Sequence, residues 1–307
     1  MTMKYKYFDI HSHLNFSDFN EDREEVIKKM SDEGMGAISV GIDLETSKEV
    51  VDLADKYDNI FATIGLHPTK TSSGGFGPSS GGFGPSSGGF GPSSGGFGPS
   101  SGGFGPDARE SFNKKNYKEL VKNKKVVAIG ECGLDYYRIK NNKSEIKNTQ
   151  KENLERQIQF ALENDLPLML HFRPSVKTMD AYMDGLDILN SYAKNHGEKL
   201  RGNTHFFAGD LDTAGKFLNI GFTLSFTGVI TFADNYDEII KYTPLDMLMS
   251  ETDCPFAAPS PFRGKRCEPL YIKEIVKRIS EIKSIEYEKV EKTLVDNAFK
   301  IFFKNRI

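Results

Sequence analysis

Eight short runs rich in β-branched, aromatic and other apolar residues recur along the chain: 5–10 (YKYFDI), 36–42 (GAISVGI), 60–66 (IFATIGL), 126–130 (VVAIG), 167–171 (PLMLH), 203–207 (NTHFF), 221–227 (GFTLSFT) and 246–250 (DMLMS). Between them lie stretches with helical spacing of apolar residues, such as 21–33, 46–57, 150–164 and 176–195, and two more follow at 268–281 and 287–303. Strand and helix alternating in this way imply a parallel sheet. Eight repeats predict an α/β fold of the closed (β/α)8 TIM barrel type rather than an open doubly wound sheet. No GxGxxG follows an early run and no GxxxxGK[ST] occurs, so a nucleotide-binding fold has no support.

Residues 72–106 break the alternation. They read SSGGFGP five times without a difference and carry no charge. Glycine and proline in every unit forbid helix, and such a composition buries no core, so a flexible low-complexity loop inserted after strand three is expected. Stacking of its phenylalanines on bases is disfavoured, because stacking platforms come with Lys or Arg and the repeat has neither. The rest of residues 1–307 reads as a single barrel.

With 38% hydrophobic and 27% charged residues the chain suits a soluble globule, and no apolar run approaches the roughly 20 residues that cross a bilayer. The N-terminal stretch MTMKYKYFD lacks an apolar signal segment, so a cytoplasmic location is the expectation. Cys132, Cys254 and Cys267 are odd in number and lack CxxC spacing, which argues against a disulfide framework and a four-cysteine zinc site. A net charge of −3 gives no global basic field, so any polyanion must be attracted locally. No obligate protein partner is evident.

In a barrel the active site gathers at the C-terminal ends of the strands. His11 and His13 (FDIHSHL) end the first run, His67 (GLHP) the third, Glu131 (GECGLD) the fourth, His171 (LHFR) the fifth, His205 (THFF) the sixth and Asp253 (ETDCP) the eighth. Alternation puts Asp9, His11 and His13 on one side of the first strand. Each residue alone has an ordinary explanation: a helix cap, a turn former or a satisfied polar side chain. Only His196, in a helical stretch, stands apart from this set, and a surface or helix-terminal place is expected for it. Four imidazoles and two carboxylates of this set form a mixed nitrogen and oxygen group suited to Zn²⁺, Mn²⁺, Co²⁺ or, less comfortably, Mg²⁺. Six ligands exceed the need of one tetrahedral ion, whereas two divalent ions bridged by a carboxylate use them naturally.

The blocks FDIHSHL, GLHP, VVAIGECGLDYYR, LHFRPS, HFF, ETDCPFAAP and RGKRCEPLYI, in this order, resemble the signature blocks of the TatD family of metal-dependent deoxyribonucleases. The resemblance runs from Met3 to the C-terminus apart from the repeat. It implies His11, His13 and Asp253 on one metal, His171 and His205 on the other, Glu131 bridging both, and His67 and Arg173 in contact with substrate phosphate. It also implies DNA as substrate, with single-stranded ends the expected target. HFRPS, HFFAG and the Cys267 of RCEP depart from the family pattern without removing a ligand, and bear on substrate preference.

Two ions about 3.5–4 Å apart lower the pKa of bound water and stabilise attacking and leaving oxygens. Arg173 offers a planar fork for phosphate. Asp9 and Glu251 are expected to orient ligands by accepting imidazole N–H bonds or holding water. Two alternatives stay open: amide or ester hydrolysis by the same water, including deacylation of mischarged tRNA, and an inactive metal-binding module.

Overall fold

The computed structural model describes residues 5–71, 110–137, 139 and 143–304. Its elements run β1 (Tyr7–Ser12), α1 (Arg23–Asp32), β2 (Met35–Val40), α2 (Leu44–Lys56), β3 (Ile60–Ile64), α3 (Lys114–Tyr117), β4 (Val126–Asp135), α4 (Lys143–Glu163), β5 (Leu168–Arg173), α5 (Asp180–His196), β6 (Gly202–Thr204), α6 (Leu211–Asn219), β7 (Thr223–Phe226), α7 (Asp237–Tyr242), β8 (Leu248–Ser250), α8 (Ile272–Lys283) and α9 (Tyr287–Phe302). The eight strands pair in parallel in sequence order, giving the expected (β/α)8 barrel. The sequence places the SSGGFGP insertion after β3, and the flexible loop expected there lies outside the described residues.

Parallel strands carry helices on their outer face and side chains inside, so they are buried on both sides. Outside, Val26, Ile27 and Met30 of α1, Val50 and Ala54 of α2, and Leu154 and Ile158 of α4 pack on the sheet. Inside, Phe8, Ile10, Ile38, Val40, Met169 and Met249 form a second cluster, joined by Val295, Ala298 and Phe302 of α9. Burying each of these large apolar side chains contributes about 1.5–3 kcal/mol. Asp43 caps α2: its carboxylate accepts the Thr46 N–H (2.8 Å) while Thr46 Oγ1 accepts the Asp43 N–H (3.0 Å).

The first and last strands meet through few bonds. The Asp253 N–H donates to the His11 carbonyl (2.9 Å) and the His13 N–H to the Cys254 carbonyl (2.8 Å). Asp9 completes this seam, accepting the Thr252 N–H (2.9 Å), the Thr252 hydroxyl (2.5 Å) and the His11 N–H (3.2 Å). The imidazole contact expected of Asp9 is not made: its buried carboxylate is taken up by the Thr252 hydroxyl and by the backbone N–H groups of Thr252 and His11. The reason is an irregularity of β1 between Asp9 and Ser12, which interrupts the simple alternation. Among the described residues no helix is long and apolar enough to cross a membrane.

Candidate metal centre

β4 does not stop before Glu131 but continues to Asp135, beside β5. Two glycines make that possible. A Cβ on Gly130 (φ +152°) would collide with the Met169 carbonyl oxygen, and one on Gly133 (φ +151°) with that of His171. The GECG stretch thus brings the two backbones close and leaves Glu131 between them, pointing into the mouth of the barrel.

Glu131 divides its two oxygens between two sets of imidazoles. Oε1 lies 2.9 Å from His171 Nδ1, 2.9 Å from His205 Nε2 and 3.4 Å from His67 Nε2. Oε2 lies 3.6 Å from His11 Nε2 and 4.0 Å from His13 Nε2. His11 Nε2 and His13 Nε2 face each other at 3.3 Å, and Asp253 Oδ1 approaches them at 3.7 and 3.4 Å. All seven side chains foreseen at strand ends are thus brought together. Exposed His196 stands apart at the end of α5.

These donor sets fit divalent cations. Ligand atoms about 2.0–2.2 Å from a zinc-like ion in tetrahedral or octahedral geometry stand roughly 2.8–3.6 Å from one another. The separations above fall in or near that range. Three overlapping triads satisfy the test: His11, His13 and Glu131; His11, His205 and Asp253; and His67, Glu131 and His171, with ligand atoms within 4.8 Å of one another. Asp253 reaches the cluster from a turn with φ +54°, sparsely populated for a residue with a Cβ and held here by the β1 seam.

Burial opposes the charge on Glu131, yet His67, His205 and His11 outweigh it and hold its carboxyl well below the usual carboxylate range. Burial likewise opposes protonation of His205, but Glu131 and Glu251 prevail and push it well above the ordinary histidine value. His11 and His67 go the other way, lowered chiefly by burial. Burial and mutual contact thus push the histidines around one carboxylate in opposite directions, the kind of perturbation that gathers at functional sites.

Neighbouring residues hold the clustered side chains in place. Asp135 Oδ2 lies 3.3 Å from His171 Nε2, so His171 is held between two carboxylates. A strand that ends at Glu131 does not reach Asp135; the alternation of positions 131, 133 and 135 along one face is the sequence signal that points to it. Glu251 Oε1 lies 3.6 Å from His205 Nδ1 and accepts the Phe206 N–H (2.5 Å), while its Oε2 accepts the Ser225 hydroxyl (3.0 Å). It steadies the turn after His205 through the backbone.

A second unforeseen feature is a polar stripe on the buried face of α4. Gln150 accepts the Asp135 N–H (2.8 Å) and donates to the Asp135 carbonyl (3.0 Å). Gln157 treats Leu66 identically, at 2.8 and 3.0 Å, and Asn153 accepts the Phe112 N–H (2.6 Å). One helix therefore pins the segment leading to His67, the return from the repeat, and the end of β4. Arg173 ends β5, its guanidinium 4.1 Å from the ring centroid of Tyr137.

A parallel eight-stranded barrel with imidazoles and carboxylates converging at its mouth is the architecture of a metal-dependent hydrolase. The family model for TatD related DNase matches residues 8–303, and the chain belongs to the TatD family. It is 33% identical over 298 residues to the uncharacterized metal-dependent hydrolase YabD of Bacillus subtilis, covering 96% of this chain and 98% of that protein. It is 28% identical to the uncharacterized metal-dependent hydrolase YcfH of Escherichia coli, covering 96% and 94%. Among solved structures, the TatD homologue YjjV of E. coli superposes with a TM-score of 0.74 at 22% identity, covering 98% of this chain and 99% of that one. A TatD family hydrolase from Entamoeba histolytica gives 0.73 at 20% identity, covering 98% and 99%.

Proposed function

We propose that this chain hydrolyses phosphodiester bonds of DNA, acting on single-stranded ends, with two divalent ions. The observation that carries the reading is the division of Glu131 between two nitrogen pairs, Oε2 toward His11 and His13 and Oε1 toward His171 and His205. In this reading His11, His13 and Asp253 hold one ion, His171 and His205 the other, and Glu131 bridges. Bound ions supply Lewis acidity and a water acidic enough to act as nucleophile near neutral pH.

The chain's own groups do the rest. Neutral imidazoles and two carboxylates leave the loaded centre with excess positive charge, a local attraction for a phosphodiester on a chain of net charge −3. Arg173 presents its planar fork to phosphate oxygens at the edge of the site. His67, hydrogen-bonded through Nδ1 to Thr69 Oγ1 (2.7 Å), holds Nε2 toward the centre, where it donates to phosphate or to the departing oxygen. Asp135 keeps His171 oriented. The three free cysteines are buried, which suits work in a reducing cytoplasm.

The test is release of nucleotides from single-stranded DNA, compared with an ester and an aminoacyl-tRNA substrate. Release abolished by chelator and by Glu131→Ala, with the fold retained by circular dichroism, supports the reading. Turnover of carbonyl substrates alone assigns the centre to ester or amide hydrolysis. Ion binding without turnover of either class leaves a metal-binding module.

A further inference from the structure

Six large hydrophobic side chains are exposed among the described residues, and their placement is uneven. Met183 and Tyr242 lie on the outer helices. The other four, Tyr137 (46% exposed), Val176 (62%), Phe232 (38%) and Phe256 (39%), lie on the segments that follow β4, β5, β7 and β8. Those segments are the rim around the metal centre. Scattered apolar groups on a surface need no explanation, but a ring of them around one mouth marks a binding surface.

Two of the aromatic rings carry a cation. The guanidinium of Arg173 lies 4.1 Å from the Tyr137 ring centroid, and that of Arg263 lies 4.0 Å from the Phe232 centroid. Phe256 stands beside the candidate centre: its ring centroid is 6.3 Å from that of His13 and 6.3 Å from that of Phe16, which itself stacks on His13 at 4.5 Å. Exposed rings alternating with guanidinium groups recognise a single-stranded polynucleotide, since every base offers a flat face and every linkage a negative charge. A small acyl substrate has no use for platforms on three separate loops.

We propose that Phe256, Tyr137 and Phe232 are nucleobase-stacking platforms on the rim of the barrel, with Arg173 and Arg263 meeting the phosphates of the same single strand. The proposal rests on the phosphodiesterase reading for its chemistry, but its recognition can be measured separately. The base beside the scissile bond stacks on Phe256, and its neighbours reach Tyr137 on one side and Phe232 on the other. The platforms stack on any base, so the track predicts little sequence preference.

The test uses the full chain with Mn²⁺, a fluorescein-labelled ten-nucleotide oligo(dT), and a labelled abasic strand of the same length, which keeps the phosphodiester backbone and has no ring to stack. Phe256→Ala and Phe232→Ala are each expected to raise KM for the oligonucleotide by roughly five- to hundredfold, the loss that removal of one stacking ring produces. The loss on the oligonucleotide exceeds that on the abasic strand by at least about fivefold. Phe232→Trp restores the oligonucleotide KM, and Tyr242→Ala, away from the rim, alters neither substrate. Equal losses on both substrates, or an unaltered oligonucleotide KM in Phe256→Ala and Phe232→Ala, overturn the proposal. Fluorescence anisotropy separates the two readings: binding that Phe256→Ala weakens, without cleavage by the parent chain, sinks the phosphodiesterase reading and keeps the platforms. Cleavage with ring-independent binding does the reverse.

Discussion

Replacing Gln157 by leucine isolates what the α4 stripe contributes. Gln157 accepts the Leu66 N–H at 2.8 Å and donates to the Leu66 carbonyl at 3.0 Å, and Leu66 is 2% exposed. Leucine fills a similar volume but offers neither bond, leaving two buried backbone groups unpaired. Each costs about 1–3 kcal/mol, so the variant loses roughly 2–6 kcal/mol. At about 2 °C per kcal/mol, near the large-domain limit, Tm falls by ~4–12 °C. The displaced segment carries His67, whose Nε2 is 3.4 Å from Glu131, so phosphodiester turnover falls as well. Gln159→Leu, an exposed position on the same helix, is the control. Thermal unfolding with parallel activity assays makes the comparison. If Gln157→Leu melts with Gln159→Leu and parent, the amide pair holds nothing and the reasoning fails.

Further outcomes follow from the same geometry. Asp135→Asn weakens the support of His171 and lowers metal affinity by roughly 10- to 100-fold, read by titration against a competing chelator; unaltered affinity removes Asp135 from the site. Asp43 is buried, yet Lys70 (2.8 Å) and Thr46 hold its carboxyl below the usual value of 3.8, so its contribution is present above that pH and is lost as pH falls through the lower folded value. Asp43→Ala therefore costs about 1–2 kcal/mol at pH 7 through lost cap and ion pair, and the gap to parent narrows at pH 3 in matched urea unfolding curves. A gap that widens in acid contradicts the sign. Glu251→Ala frees the turn after His205 and lowers ion content measured by atomic emission; full content shows that Ser225 and Phe206 are held without it.

The barrel and the gathering of imidazoles and carboxylates at its mouth were legible because the governing periodicities are local. Alternating runs fix strand order, and strand ends fix the face on which His11, His171 and Asp253 meet. What stayed hidden depends on contacts between distant backbones. Glycines 130 and 133 read as the end of a strand, whereas they let β4 press against β5 and extend to Asp135. The irregularity in β1 sends Asp9 to the backbone of Thr252, which an unbroken period of two cannot foresee. Gln150, Asn153 and Gln157 share a helical face by spacing alone, but hydropathy ranks amides as solvent groups and misses that their partners are buried loop peptides. The helices α6 and α7, nine and six residues long, carry too few turns to stand out as periodic patterns.

In the proposed function Glu131 joins two cation sites. Ion content per chain, measured by plasma emission after loading with Mn²⁺ or Zn²⁺ and exhaustive dialysis, counts those sites. Two ions are expected in the parent chain, with loss of at least one in Glu131→Ala while the barrel stays intact. A single ion in the parent, or two retained by the variant, would contradict that reading.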